Sequence, residues 1–298
     1  MSAKNRAIRR AGMTTLAVGI AIAFSGCCRQ APATRGTADH VVGTDPKATI
    51  HQIVASAHVE GAEQTGSFKS LEWWQQRATG GDAKAQYQLG KLYIYGDGVV
   101  RDVEKAIEWW QKAAEQGEVR SQYALGEVSY FGGGVPKDTL KAIEWWQKAA
   151  AQGHAKAQFN LGSVYYFGEG VSKDAGVAAE WWQQAATQGN ASAEENLGVL
   201  YHTGEGVQRD DATAVAWFQQ AAAQGEAGAE FGLAAMYYNG DGVPRDYVLA
   251  YAWANLGGAQ GDEDARALLD RIELGPAELA EAQGLSSKWQ KGQILRRS

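Results

Sequence analysis

Hydrophobic and polar residues alternate along most of the chain with the period of an α-helix, in short segments separated by glycine. The segment from Asp82 to Tyr95 places its apolar and small residues on one helical face. Gly96 ends this predicted helix, because glycine readily adopts the left-handed conformation of a helix C-terminus. Asp102 is predicted to cap the next helix, which Gly117 closes. The apolar face of that second helix consists of Ala106, Trp109, Trp110, Ala113 and Ala114.

The features of this helix pair recur at intervals of 36 residues. One series of tryptophans comprises Trp73, Trp109, Trp145, Trp181, Trp217 and Trp253. The predicted capping residues in the same phase are Asp102, Asp138, Asp174, Asp210 and Asp246. One helix pair cannot bury its apolar face alone, so successive pairs must stack. The sequence therefore predicts an all-α superhelix of helix-turn-helix repeats.

The repeated pattern resembles a known family. The motifs that carry the resemblance are, in order, Ala-x-Ala-Gln-Tyr-x-Leu-Gly-x-Leu-Tyr, Gly-x-Gly-Val, Asp, Ala-x-x-Trp-Trp, Ala-Ala and Gly. Together they are similar to the Sel1-like repeat, a relative of the tetratricopeptide repeat. The resemblance covers five repeats over 82–261, preceded by half a repeat over 67–81. It implies a right-handed αα-solenoid whose concave face binds peptides or partner domains. Residues 262–298 resemble the helices that cap such arrays.

Positions that vary between repeats mark a candidate partner-binding surface on the first helix of each pair. Spacings of four, three and four residues place these positions on a single helix stripe. The predicted binding residues, called the variable stripe below, are Lys84, Gln88, Lys91, Tyr95, Arg120, Phe131, Lys156, Asn160 and Phe167. Aromatic anchors beside basic residues are typical of a peptide- or glycan-binding groove. The alternative is that the aromatic rings belong to the core and the basic residues are only solvated.

Three positions depart from the repeat pattern. Glu195 replaces an aromatic residue, Ser129 replaces a tyrosine, and Ala254 replaces the second tryptophan of a pair. The change at Ala254 fits a terminal repeat that faces a cap. The other two are either local packing variants or marks of a specialised surface. The remaining tryptophan pairs, with their fixed phase beside alanine, predict packing between helices rather than carbohydrate stacking.

The N-terminus has the pattern of an export signal. A basic stretch precedes an apolar run from Met13 to Phe24, which is too short to span a bilayer comfortably. Ser25-Gly26-Cys27 resembles a bacterial lipobox, which implies lipidation of Cys27, although Phe24 stands where an aliphatic residue is usual. The alternatives are ordinary cleavage after Ala23 or an uncleaved anchor. Residues 1–26 are thus predicted as a signal peptide and 27–66 as a linker, with a weak helical pattern over 49–60.

Composition argues against several classes of function. The formal net charge is −6, and it becomes −10 without the four basic residues of 1–26, so binding to a phosphate backbone is disfavoured. The only two cysteines, Cys27 and Cys28, are adjacent and leave no thiols for a metal site in the repeats. The histidines share no metal-ligand spacing, and Glu194-Glu195 is expected to be exposed. No catalytic motif is present, so no catalytic residue, metal or cofactor is predicted.

These observations favour a non-enzymatic scaffold in the bacterial cell envelope. The resemblance to a lipobox also implies a rule for the location of the lipoprotein. Because Cys28 and not Asp follows Cys27, this rule favours placement of the protein in the outer membrane, facing the periplasm. The alternative function is binding of peptidoglycan fragments or β-lactam-like ligands, with weak hydrolysis. Relatives linked to that activity carry a cysteine pair in each repeat, which this chain lacks. A third reading is an interaction factor delivered toward a host cell.

Overall fold

The computed structural model describes residues 70–297, and every regular element in this range is an α-helix. The predicted signal segment, Cys27 and the whole predicted linker lie outside this range. The thirteen helices of the described range are α1 (Leu71–Thr79), α2 (Ala83–Tyr95), α3 (Val103–Glu115), α4 (Val119–Phe131), α5 (Thr139–Ala151), α6 (Ala155–Phe167), α7 (Ala175–Ala186), α8 (Ala191–Thr203), α9 (Asp211–Ala223), α10 (Ala227–Asn239), α11 (Tyr247–Gln260), α12 (Glu263–Leu269) and α13 (Pro276–Lys288).

The helix ends follow the predicted capping chemistry. The carboxylate of Asp102 accepts a hydrogen bond from the Lys105 amide at 3.0 Å, which satisfies one of the free amides at the start of α3. Equivalent bonds cap the second helix of every later repeat, from Asp138, Asp174, Asp210 and Asp246. Gly96 ends α2 at a φ of 74°, a left-handed conformation that favours glycine. The predicted helix boundaries at these caps are confirmed.

The helices form two compact units. Of the described residues, the first unit contains 70–161 and 169–171, and the second contains 162–168 and 172–297. In the first unit, α1 to α5 pack as an uninterrupted series, each helix against the next. In the second unit, α7 to α12 pack in the same serial way. Both units are therefore stacks of helical hairpins, as the 36-residue period predicts.

An aromatic ring packed on a helical glycine joins the two helices of four of the five hairpins; in the fifth, the two positions are Ala234 and Ala254. In the first unit, the indole of Trp110 lies directly against Gly90, and its Nε1 donates a hydrogen bond of 3.1 Å to the Tyr87 carbonyl. The Trp146 ring packs on Gly126, and the Phe218 ring packs on Gly198 in the second unit. These rings are at most 2% exposed. The packing between helices predicted for the tryptophan pairs is thus confirmed for the second ring of these three pairs.

The C-terminal helices cover the last repeat. Helix α13 packs against α11, and the amide of Asn255 donates to the Ser286 hydroxyl at 2.9 Å. Trp253 and Ala254 are both fully buried, and the Trp253 ring meets the Trp289 ring edge to face. The interpretation of Ala254 as a residue facing a cap stays a prediction.

The glycine under each ring leads to a stability prediction. In Gly90→Ala, the new Cβ would lie 2.5 Å from Cδ1 of Trp110, so the hairpin must open or the ring must move. We expect a loss of about 1–3 kcal/mol, the usual cost of overpacking a core. The matched control is Gly284→Ala in α13, where an added Cβ meets no neighbouring atom within 4 Å. Urea unfolding should show a lower midpoint for Gly90→Ala only; equal midpoints would contradict this packing role.

Candidate partner-binding surface

The variable stripe contains both accessible and covered side chains. In the first unit, Lys84 is exposed, whereas Asn160 is only 7% exposed, so little of its amide is open to a partner. The remaining stripe residues of this unit are half-buried: Gln88, Lys91, Tyr95, Arg120, Phe131 and Lys156. In the second unit, Phe167 is 37% exposed. The accessible part of the stripe in the first unit is therefore mainly basic and aromatic.

Two cations of the stripe meet on one aromatic ring. The guanidinium carbon of Arg120 lies 4.5 Å from the ring centroid of Tyr87, and Lys91 Nζ lies 5.9 Å from the same centroid. Cations at these distances are attracted to the negative face of the ring. Arg120 Nε also donates to Glu118 Oε1 at 2.8 Å, which holds the guanidinium in place. The structure thus brings stripe residues of adjacent repeats together through Tyr87, which is not itself a stripe residue.

A second aromatic contact follows in the next repeat. The rings of Tyr123 and His154 stack with their centroids 4.4 Å apart, and the Tyr123 hydroxyl donates to Glu127 Oε1 at 2.8 Å. Burial and the nearby charge of Glu127 raise the pKa of Tyr95 to about 12. Tyr95 is therefore a neutral phenol at physiological pH, able to donate a hydrogen bond. This face of the first unit combines aromatic rings, cations and hydroxyl donors.

At the helix positions that Tyr87 and Gln86 occupy in the first unit, the second unit carries carboxyl groups. Glu195 stands where Tyr87 and Tyr123 stand in the first unit, and its carboxyl fills the space left by the absent side chain of Gly228. Burial first, and then the charges of Glu226 and Asp262, raise the pKa of Glu195. Burial raises the pKa of Glu226 as well, so the two hydrogen-bonded carboxyl groups both favour their protonated forms.

The fourth residue of each first helix shows the same change from neutral to acidic. In the first unit, Gln86 Nε2 donates to the Ala78 carbonyl at 3.0 Å, and Gln122 Nε2 donates to the Ala114 carbonyl at 3.2 Å. Glu194 and Glu230 take this position in the second unit, and an ionised carboxylate has no proton to donate. Glu194 is 3% exposed and Glu195 is half-buried, so the expectation that Glu194-Glu195 is exposed was wrong. The side chain follows the buried path of the glutamines it replaces.

Glu230 shows the consequence of this replacement most clearly. Its Oε2 accepts from Gln260 Nε2 at 2.8 Å, whereas its fully buried Oε1 has no hydrogen-bond partner. In the repeat that contains Glu230, the carbonyl equivalent to that of Ala78 belongs to Ala222. A protonated carboxyl group can donate a hydrogen bond to this carbonyl, whereas a carboxylate cannot. Burial raises the pKa of Glu230 to about 7. Geometry and pKa both favour a neutral Glu230 below neutral pH.

The cluster of carboxyl groups in the second unit was not predicted from the sequence, because each carboxylate was considered alone. The signal was present in the spacing, since Glu194 and Glu230 are 36 residues apart, as are Glu226 and Asp262. Residues in equal phase lie next to each other when hairpins stack, so acids at that spacing meet in space. Within residues 70–297, no three His, Cys, Asp or Glu side chains converge closely enough to hold a metal ion. The same residues contain no helix with the length and apolar character needed to cross a bilayer.

Stacked helical hairpins with an aromatic–glycine contact define a protein of the αα-solenoid class. The model of the Sel1 repeat matches five consecutive segments of the chain. They are residues 83–118, 119–154, 155–190, 191–226 and 227–262. Because these repeats make up more than half of the chain, it belongs to the Sel1 repeat family. The all-α solenoid of 36-residue repeats predicted from the sequence is thereby confirmed.

Two solved structures support this assignment. The chain is 34% identical to a protective antigen of uropathogenic Escherichia coli strains that displays an SLR fold, with a TM-score of 0.68. That match covers 82% of this chain but 53% of the antigen, so the chain spans about half of its length. A Sel1 repeat protein from Oxalobacter formigenes is 26% identical with a TM-score of 0.62, covering 83% of this chain and 99% of that one. Among curated proteins, no match to the chain was found.

The buried acids predict a pH-dependent stability. Glu230 has an ordinary pKa of 4.5 when unfolded and about 7 when folded, so its stabilising contribution is complete below pH 4.5 and is lost as pH rises through 7. We therefore expect Glu230→Gln to raise the free energy of unfolding by about 1–3 kcal/mol at pH 8 and to have little effect at pH 4. Urea unfolding at both pH values measures the difference.

The reciprocal substitution in the first unit is the matched control. Gln86→Glu introduces the same buried acid beside the Ala78 carbonyl, so it should destabilise the protein at pH 8 more than at pH 4. If Glu230→Gln were equally stabilising at both pH values, the effect would come from packing and not from ionisation.

Proposed function

We propose that the chain is a non-enzymatic scaffold of the bacterial cell envelope that binds a protein partner through the variable stripe of its first unit. Sel1 repeat proteins are in general protein–protein interaction scaffolds. The proposal assigns binding to this surface because Lys91 and Arg120 both contact the Tyr87 ring. A cation already ordered on an aromatic ring loses less entropy when it binds a partner's carboxylate.

The chemistry of the stripe suits an acidic partner segment. Lys84, Lys91, Arg120 and Lys156 place four cations on this face, of which Arg120 is paired with Glu118, while the chain as a whole has a net charge of −6. Local positive charge on an acidic protein favours one docking face over others, because charge complementarity steers association. Tyr95 and Phe131 add apolar contact area beside the cations, as expected for anchors of a protein interface. In the second unit, Ser192, Asn196 and Val199 stand at the positions of Lys84, Gln88 and Lys91, so this unit lacks the cations of the stripe there and is not assigned to this interface.

Membrane attachment through Cys27 forms the second part of the proposal. The sequence around Cys27 resembles a lipobox, and the basic and apolar segments before it have the order of an export signal. A single acyl chain gives weak attachment, whereas the multiple chains of a mature lipoprotein anchor it stably. The linker over 27–66 would then separate the repeats from the outer membrane.

Site-specific photo-crosslinking in cells tests the partner surface. We expect a photo-reactive amino acid at Lys84 to capture a partner protein, and the same group at Glu108 to serve as an exposed control on the second helix of that repeat. Adding Arg120→Glu should reduce capture at position 84 by about tenfold or more, because it reverses a charge at the proposed contact. Equal capture from positions 84 and 108 would contradict the proposed surface. Recovery of peptidoglycan fragments in place of protein would favour the alternative ligand.

Membrane fractionation tests the anchor. We expect Cys27→Ala to move the protein from the membrane fraction to the soluble fraction of the envelope and to block incorporation of a labelled fatty acid. Cys28→Ala is the matched control and should leave both properties unchanged. Membrane association that persists in Cys27→Ala, without labelling of the wild type, would contradict lipidation at this residue.

A further inference from the structure

Ser129 breaks the repeat pattern at a position where the backbone is unchanged. The other four repeats carry tyrosine here, at Tyr93, Tyr165, Tyr201 and Tyr237. In each repeat the carbonyl of this residue accepts a hydrogen bond from the amide of the capping aspartate. The bond is 2.9 Å from Asp102 to Tyr93 and 2.7 Å from Asp138 to Ser129. The substitution therefore removes a phenol ring while leaving the surrounding main chain in place.

The space beside Ser129 is an open pocket of about 580 Å³, within the size range of ligand-binding pockets. It lies wholly in the first unit, between α3, α4 and the turn that leads into α5. Leu125 and Val128 are 3% and 1% exposed and form its floor, while Ile107, Val135 and Leu140 form its more open apolar wall. The lining also contains the cations Lys137 and Lys141 and the carboxylate of Asp138. A pocket of this kind has room for an apolar side chain with charged groups at its edge.

The preceding repeat shows what fills this place when tyrosine is present. Tyr93 is half-buried and packs against an apolar cluster that includes Leu71, Leu89 and Leu92. Residues 36 positions later are Ile107, Leu125 and Val128, which line the pocket. Lys105 Nζ lies 5.6 Å from the centroid of the Tyr93 ring, and the equivalent residue is Lys141. The pocket thus retains the walls and the cation of a tyrosine site but lacks the ring.

An exposed hydrophobic residue lies at the same pocket. Leu140 is 60% exposed, and in the preceding repeat the equivalent residue is Glu104. The equivalent apolar residue of the last repeat, Val248, is 1% exposed. Leu140 therefore adds an exposed apolar contact at the mouth of the pocket. Two departures from the repeat, Ser129 and Leu140, therefore create one apolar site.

We infer that this pocket binds an aromatic side chain, tyrosine or phenylalanine, from a protein partner. The partner's ring occupies the place that Tyr93 fills one repeat earlier, with its face toward Lys141 and its edge against Leu140. This inference rests on the proposed function, since it assumes that the chain binds proteins. It adds an aromatic requirement to the acidic character that the variable stripe favours.

The test of the pocket uses p-cresol, the side-chain analogue of tyrosine, as its probe. Nuclear magnetic resonance titration of the full-length protein should give saturable shifts of the Ile107, Leu125 and Val128 methyl groups, at about 1–10 mM for a ligand of this size. Ser129→Tyr fills the pocket with the chain's own ring, so it should abolish these shifts and raise Tm. Ser129→Ala is the size-matched control and should keep them.

Two further variants keep the test decisive if Ser129→Tyr does not fold. Leu140→Glu introduces the residue found at position 104, on an exposed site, and should weaken p-cresol binding about fivefold or more by removing part of the apolar wall. Tyr93→Ser should create a second p-cresol site one repeat earlier, seen at the Leu89 and Leu92 methyl groups. Absence of saturable shifts in the wild type, or shifts unchanged in Leu140→Glu and Ser129→Tyr, would overturn the pocket.

A peptide selection separates this inference from the proposed function. Displayed peptides are selected on the full-length protein and counter-selected on Leu140→Glu, and the surviving peptides should share a tyrosine or phenylalanine. Peptides that require Leu140 but are unaffected by Arg120→Glu would support the pocket and contradict the stripe. Peptides that require Arg120 and not Leu140, or that lack an aromatic residue, would overturn the pocket and leave the scaffold proposal standing.

Discussion

The contact between an aromatic ring and a helical glycine is the constraint on which the repeats depend. Trp110 on Gly90 and Phe218 on Gly198 bring the helices of a hairpin closer than any larger residue would allow. Each ring buries a large apolar area, and the missing Cβ removes the only atom that would prevent it. Because this contact sets the hairpin geometry in four of the five repeats, the hairpins within each unit present their remaining positions in the same orientation.

Because successive hairpins have the same orientation, the repeat period determines which side chains come into contact. Gln116 Nε2 donates to Gln86 Oε1 at 2.7 Å, and thirty residues also separate Gln260 from its partner Glu230. A substitution at one repeat position therefore changes the chemistry of a defined place without changing the frame. Replacing glutamine by Glu230 leaves a buried oxygen without a partner, and replacing tyrosine by Ser129 leaves a pocket. In both cases the unaltered repeats show what has been lost.

These local changes give different properties to the two units. The first unit carries the cation–aromatic contacts around Tyr87 and the open pocket beside Ser129. The second carries buried carboxyls with raised pKa values, Glu195 and Glu230 among them, and the cap over Trp253. The proposed binding surface in the first unit and the predicted pH-dependent stability in the second are compatible with one scaffold. Both follow from side chains that the repeat frame does not itself require.

The sequence by itself determined the helix pairs, their 36-residue period, their caps and the packing of the second ring, because these depend on local propensity and periodicity. It also located the departures at Ser129, Glu195 and Ala254. Only the tertiary structure decided that Ser129 opens a pocket and that Glu194 is buried, since burial depends on what neighbouring helices contribute. It likewise placed Arg120 over Tyr87 and covered Asn160. Periodicity predicts which residues share a face, but the approach of the next hairpin determines which of them remain open to a partner.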